Sequence, residues 1–142
     1  MNIIELVQSV LIDFPKIEQL HVDYNEDSPD EFGLYSTGDT LLKEDILGNQ
    51  TRKHTFILYA VFQSFNDYDR LINSGTLLEL QMWLEHSAEN QKVEFTVNNK
   101  TITGSLIKLT CANGMLYDIP DNNMNSGVQY QLQITAEYTI EN

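Results

Sequence analysis

The sequence predicts an α+β fold: an antiparallel or mixed β-sheet packed with an N-terminal helix and one long central helix. Three stretches carry that prediction. Residues 51–62 are rich in β-branched and aromatic side chains, with Phe56, Leu58, Ala60 and Phe62 at one parity and Ile57, Tyr59 and Val61 at the other. A strand apolar on both faces is covered on both, which places it centrally in a sheet. Residues 129–140 alternate strictly, with Tyr130, Leu132, Ile134, Ala136, Tyr138 and Ile140 against Gln129, Gln131, Gln133, Thr135, Glu137 and Thr139. That is a strand with one face on a core and one face wet. In the third stretch, Leu71, Leu78 and Met82 fall at helical spacing beside a second stripe of Leu77, Leu80 and Leu84, and Trp83 adds the largest side chain. Asn66 is the predicted N-cap, and Asp67 and Asp69 put negative charge in the first turn, where the helix dipole favours it. The two stripes are wider than one buried face. The helix is therefore expected to meet the sheet on one side and a second partner, such as another subunit, on the other.

The remaining elements follow in chain order. Ile3, Leu6, Val7, Val10 and Leu11 make residues 2–14 an amphipathic helix, which Pro15 ends. Residues 16–24 alternate only partly and read as a strand. Residues 25–31 form an acidic loop around Pro29, with Glu26, Asp27, Asp30 and Glu31. Residues 32–37 are expected to be a short strand, with a turn at Thr37-Gly38-Asp39; residues 40–47 read as a second extended segment or, equally, through Leu41, Leu42, Asp45 and Ile46, as one helical turn, and the extended pair suggests an antiparallel hairpin. Residues 92–97 alternate cleanly, and Asn98-Asn99-Lys100 turns the chain into residues 101–111, whose pattern Gly104 interrupts. Asn113-Gly114 has the residues of a two-residue hairpin turn. Residues 122–127 are a polar loop. There is no repeat, linker or low-complexity segment, so residues 1–142 are expected to form a single domain.

Totals narrow the function classes. The net charge of −13 argues against nucleic-acid binding, which is driven by phosphate neutralisation. It fits solubility, or an acidic surface that meets a basic partner. No apolar run approaches the roughly 18 residues of a membrane span, and residues 1–14 lack the basic start of a signal peptide. A lone cysteine, Cys111, makes no internal disulfide and fits a reducing compartment. Chemical motifs are sparse. Asp23, Asn25 and Asp27 begin a calcium-loop pattern that fails at Ser28 and Leu34, so no metal site is expected. His21, His54 and His86 have no metal-ligand spacing, and His54 reads as a structural histidine on a strand. Cys111 reads as a small buried hydrophobe. Ser74-Gly75 inside the long helix suggests a kink or a close backbone approach. No phosphate loop, nucleophile elbow or zinc-protease helix is present, so no catalytic residue, cofactor or enzyme activity is expected.

Several runs carry a family resemblance: Ser36-Thr37-Gly38-Asp39, Asp45-Ile46-Leu47-Gly48-Asn49-Gln50-Thr51-Arg52, His54-Thr55-Phe56-Ile57-Leu58-Tyr59-Ala60, Asp67-Tyr68-Asp69-Arg70-Leu71, Ser74-Gly75 and Leu77-Leu78-Glu79-Leu80-Gln81-Met82-Trp83-Leu84-Glu85. Two more are Cys111-Ala112-Asn113-Gly114-Met115-Leu116-Tyr117-Asp118 and Tyr130-Gln131-Leu132-Gln133-Ile134. Over residues 32–141 the chain resembles the minor structural ("minor capsid") proteins of siphophages and prophages of Gram-positive bacteria, a family that looks like the tail terminators of long-tailed phages. The resemblance implies a virion protein assembled in the host bacterial cytoplasm. It would form a homo-oligomeric, hexameric ring on the head-proximal end of the tail, with tail tube protein and head connector proteins as partners. It implies no catalytic residue, no cofactor and no membrane. A head–tail connector or adaptor is the alternative. A small hydrolase or ligand-binding module is a third reading, and it requires a pocket on which His54, Cys111 or carboxylates converge. Expected interface residues are Leu77, Leu80 and Leu84 on the helix and Gln129, Gln131 and Gln133 on the last strand. Glu26, Asp27, Asp30 and Glu31 are expected to dock neighbours from the acidic loop.

Overall fold

The structure is a computed structural model that describes residues 1–15, 19–22, 31–62, 67–87, 91–118 and 128–141. Among them, helix α1 (Ile3–Ile12) precedes strands β1 (Gln19–Val22), β2 (Glu31–Glu44) and β3 (Gln50–Phe62). Helix α2 (Asp67–Ser87) follows, then β4 (Lys92–Val97), β5 (Lys100–Asp118) and β6 (Val128–Glu141). The six strands form one sheet in the order β1-β2-β3-β6-β5-β4. β1 runs parallel to β2 and every other pairing is antiparallel. This is the α+β architecture that the sequence predicts, with β3 and β6 as its central pair.

The helices build one core on one face of the sheet. Asn2 caps α1 by accepting from the Glu5 backbone N–H at 2.9 Å, and Ile3, Leu6, Val7, Val10 and Leu11 are buried. Leu77, Leu80 and Leu84 of α2 join them over Phe56, Leu58, Leu132, Ile134 and Leu109. The helices meet where the Phe14 and Trp83 rings lie 5.9 Å apart and the Trp83 indole N–H donates to the Val10 carbonyl. α2 is not central: it packs on β5, one strand in from the β4 edge. No described helix covers the opposite face of β3. There Ile57 and Tyr59 are half-buried, and Tyr59 meets Tyr35 edge-on at 5.4 Å. Val61, at the same parity, is fully buried.

Two glycine signals read differently in three dimensions. Thr37-Gly38-Asp39 is no turn. β2 runs through it as one long strand, with a register shift between Ser36 and Gly38 and φ +150° at Gly38. The hairpin is β2 with β3, closed at residues 45–49. Asn113-Gly114 is no turn either. β5 continues through it with a shift between Ala112 and Met115, and a Cβ at Gly114 would lie 3.1 Å from Leu77 Cδ2. Asn98-Asn99 does turn the chain, with φ of 50° and 62°. The predicted N-cap Asn66 and the polar loop at residues 122–127 fall outside the described residues.

Gly104 is the close backbone approach. It pairs with both Val93 and Ile140, and a Cβ there would sit 1.7 Å from the Thr139 carbonyl oxygen. Gly104→Ala is expected to cost about 3 kcal/mol, because backbone must shift to admit the methyl. Gly75 is the opposite case: a Cβ there meets nothing within 4 Å, so the close approach suggested by Ser74-Gly75 does not occur at that position. Gly75→Ala is expected to stabilise the protein by about 0.5–1 kcal/mol through helix propensity alone. Urea unfolding of both variants checks the pair, with opposite midpoint shifts at constant m-value.

Candidate functional site

The inward face of the sheet changes character at one end. At the same parity as Phe56 and Leu58, β3 places His54, Arg52 and Gln50. Tyr138 and Ile140 of β6 stand opposite Arg52 and Gln50. β2 brings Ser36 opposite Phe56 and Asp39 opposite His54. Three residues apart on a regular strand, Ser36 and Asp39 would point to opposite faces. The bulge at Thr37-Gly38 resets the alternation and turns both inward.

Asp39 is the hub. Its carboxylate accepts from Arg52 Nε at 2.6 Å, from His54 Nδ1 at 2.9 Å and from the Tyr138 hydroxyl. Arg52 Nη1 also donates to Gln50 Oε1 at 2.9 Å. His54 Nδ1 bonds the carboxylate on one side of the ring, and Nε2 on the other side bonds Ser36 Oγ. Burial alone would raise the Asp39 carboxyl, but the bonds from Tyr138, Arg52 and His54 and the Arg52 charge hold it below the usual carboxylate range. Burial, then the bond to Asp39, pushes the Tyr138 phenol well up, so it stays a donor.

Beside this cluster lies a cavity of about 490 Å³. Asp39, Arg52, His54 and Tyr138 make its polar side. Ile3 and Ile4 of α1, Phe95 and Val97 of β4, Ile102 of β5 and Ile140 of β6 make its apolar wall. The Phe95 and Tyr138 rings stack at 5.8 Å where the two sides meet. Gly48 and Gln50 carry the wall to the end of the β2–β3 hairpin.

That hairpin ends in a tightly bonded turn. Asp45 Oδ1 accepts from the backbone N–H groups of Leu47 and Asn49, both at 2.9 Å, and Oδ2 accepts from Asn49 Nδ2 at 3.0 Å. The Asp45 N–H donates to the Asn49 carbonyl at 2.9 Å, and its own carbonyl accepts from Gly48 at 3.1 Å. Gly48 supplies the positive φ of 87° that the turn needs. The side chains held at the tip are apolar: Ile46 is 99% exposed and Leu47 73%.

The predicted site residues distribute unevenly. Leu77, Leu80 and Leu84 are buried in the chain's own core, so they are not available to a partner. The apolar strip that α2 leaves exposed is Ile72, Leu78 and Met82. Gln131 and Gln133 lie on the helix-free face of the sheet, half-buried and exposed respectively, beside Gln129 at the start of β6. Glu26, Asp27, Asp30 and the calcium-like positions Asp23 and Asn25 lie outside the described residues, and of Glu31 only the backbone opening β2 is described. Cys111 is partly buried away from the cavity; burial, with the Glu85 charge, pushes its thiol up to about 12. Among the described residues no group of three His, Cys, Asp or Glu could hold a metal, and no helix is long and apolar enough to cross a membrane. The Asp39–Arg52–His54–Tyr138 cluster and the apolar tip went unrecognised in sequence. One signal was there: the inward parity of residues 56–62, continued backward, reaches His54 and Arg52.

No family model and no curated protein matches the chain.

The pH dependence of stability follows from Asp39. A carboxyl held below its unfolded value, about 3.9, contributes stability that is fully present above that value. The contribution is lost as pH falls through the lower folded value. Asp39→Asn is expected to lower the melting temperature at pH 7. The gap between variant and wild type should narrow steadily below about pH 4, as thermal melts across pH 2–8 would record.

Proposed function

We propose that this chain is a phage virion structural protein, a tail terminator that closes as a ring on the head-proximal end of the tail tube and joins the tail to the head. The observation that carries the proposal is the hairpin tip, where Ile46 and Leu47 are held in solvent by a turn with five hydrogen bonds. A rigid loop that exposes large apolar side chains is a surface that other protein covers. Asp45 through Arg52 also belong to the runs on which the resemblance to phage minor structural proteins rests. The net charge of −13 supports the same reading, since a ring of acidic subunits repels DNA from its lumen and lets it pass. Homo-oligomer, tail tube protein and head connector proteins are then the partners, and the virion is the location.

Purified protein added to tail tubes is expected to cap one end and block further growth of tube subunits, seen by negative-stain microscopy as tubes of unchanged length. Light scattering is expected to show a discrete hexamer favoured by raised salt, which screens like charge. Tubes that continue to lengthen would sink the terminator role. Co-purification with connector components but never with tube protein would shift the assignment to a head–tail adaptor.

One observation favours a second reading, a small hydrolase. Ser36, His54 and Asp39 stand in the hydrogen-bonded order of nucleophile, base and orienting carboxylate, and His54 and Asp39 line the cavity. Ser36 itself is not on the cavity wall, and Asp39 is shared with Arg52 and Tyr138. A fluorophosphonate probe separates the readings. The structural role predicts no covalent adduct at Ser36 by mass spectrometry, and stoichiometric labelling lost in Ser36→Ala would establish the hydrolase.

A further inference from the structure

We propose that the hairpin tip of one copy, Ile46 with Leu47, seats in the 490 Å³ cavity of a second copy of the same chain. The inference deepens the ring reading, from which it takes only that copies of this chain meet.

Both halves of the contact are on one molecule. The tip is an apolar knob, and the wall formed by Ile3, Ile4, Phe95, Val97, Ile102 and Ile140 is an apolar socket. Cavities of about 300–1,000 Å³ hold drug-sized molecules, so this one admits two aliphatic side chains. The knob does not fill its own socket. The Asp45 turn fixes Ile46 and Leu47 outward, although Gly48 two residues on is part of the cavity wall. A chain that carries complementary knob and socket supplies them in equal number at any concentration. Repetition of a knob-to-socket contact is heterologous, and it closes into a ring when the rotation between copies permits. Charge disfavours nucleic acid and anionic lipid as the occupant. At −13 the chain repels nucleic acid and anionic lipid surfaces, whereas an uncharged apolar contact lets like-charged copies meet once salt screens the remainder.

The test uses the intact chain with cysteines at Ile46 and at Val97, a half-exposed residue of the cavity wall. The native Cys111 thiol, held protonated with a pKa near 12, is a poor participant in disulfide exchange. Ile46→Cys/Val97→Cys protein, free at high concentration and bound to tail tubes, is mildly oxidised and run without reductant beside both single variants. A ladder of linked species beyond the dimer, absent from the singles, is the expected result and supports both the contact and the ring. Linking that stops at the dimer supports tip-in-cavity docking by reciprocal exchange and overturns the ring. No linking above the singles overturns the docking proposal, and the ring then stands or falls on light scattering of the same sample. Ile46→Ser/Leu47→Ser gives an independent readout. Both side chains are exposed in the monomer, so its melting temperature should not move. Self-association should weaken by about 100-fold or more, from the apolar area no longer buried. Unchanged association would remove the tip from the contact.

Discussion

The pairing of β3 with β6 is the constraint on which the rest of the molecule depends. It runs without a register shift from Gln50 opposite Ile140 to Phe62 opposite Val128. A slip of one residue would turn every side chain of one strand to the other face. In the observed register, Phe56, Leu58 and Ala60 meet Ile134, Leu132 and Tyr130 beneath the helices. The same register, continued outward, sets Arg52 beside Tyr138 and brings His54 over Ala136. Apolar core and polar cluster are thus two ends of one ladder. The core fixes the phase and the cluster inherits it.

The cluster constrains the phase in return. A carboxylate taken partly out of water costs free energy unless its lone pairs are filled, and the two oxygens of Asp39 are filled from Arg52, His54 and Tyr138. Those donors come from two strands, and the acceptor from a third. Only one relative placement of β2, β3 and β6 satisfies the carboxylate, so a shifted β2 would leave Arg52 and Asp39 each without a counter-charge. The bulge at Gly38 is part of that solution. Without the extra residue Asp39 would face the helix-free side, and the long strand β2 would carry no polar lock against sliding.

This arrangement explains which parts were legible in the sequence. β3, β6, α1 and β4 follow from side chains that are neighbours along the chain, so their periodicity is visible locally. Gly38 and Gly114 sit in long strands rather than turns: a glycine among strand residues gives the same local signal for a turn as for a bulge. What decides between them is the partner strand, and β3 and β6 lie well beyond any local window. The helix stripes were separated correctly, but the choice of which stripe faces the core was not local either. Leu77 is held inward by the space that Gly114 leaves, a contact between two elements. The site was hidden for the same reason. Tyr138 reaches Asp39 from 99 residues away in sequence, through a parity that the bulge has reversed. The apolar tip is hidden differently: Ile46 and Leu47 fit either an extended segment or a helical turn in the local sequence, and only the turn that isolates them in the structure shows them exposed.

The hairpin end shows the same kind of local constraint at work in a single turn. Loops that connect strands are ordinarily polar because their side chains stay wet, yet here the polar groups of the turn are spent on the turn itself. Asp45 gives both carboxylate oxygens to Leu47 and Asn49, and those bonds, the Asn49 backbone bond foremost, hold its carboxyl below the usual range. What remains to face solvent is Ile46 and Leu47. A monomer gains nothing from that exposure, and nothing in the turn's own bonding requires apolar side chains at those positions. In the proposed docking, the exposure is relieved when a second copy covers the tip. In the proposed contact between copies, mutual repulsion at −13 opposes association until salt screens it. Under that proposal, exposed tip, apolar socket and net like charge act together: the first two supply a short-ranged, specific attraction, and the third delays it until the surfaces are already in register.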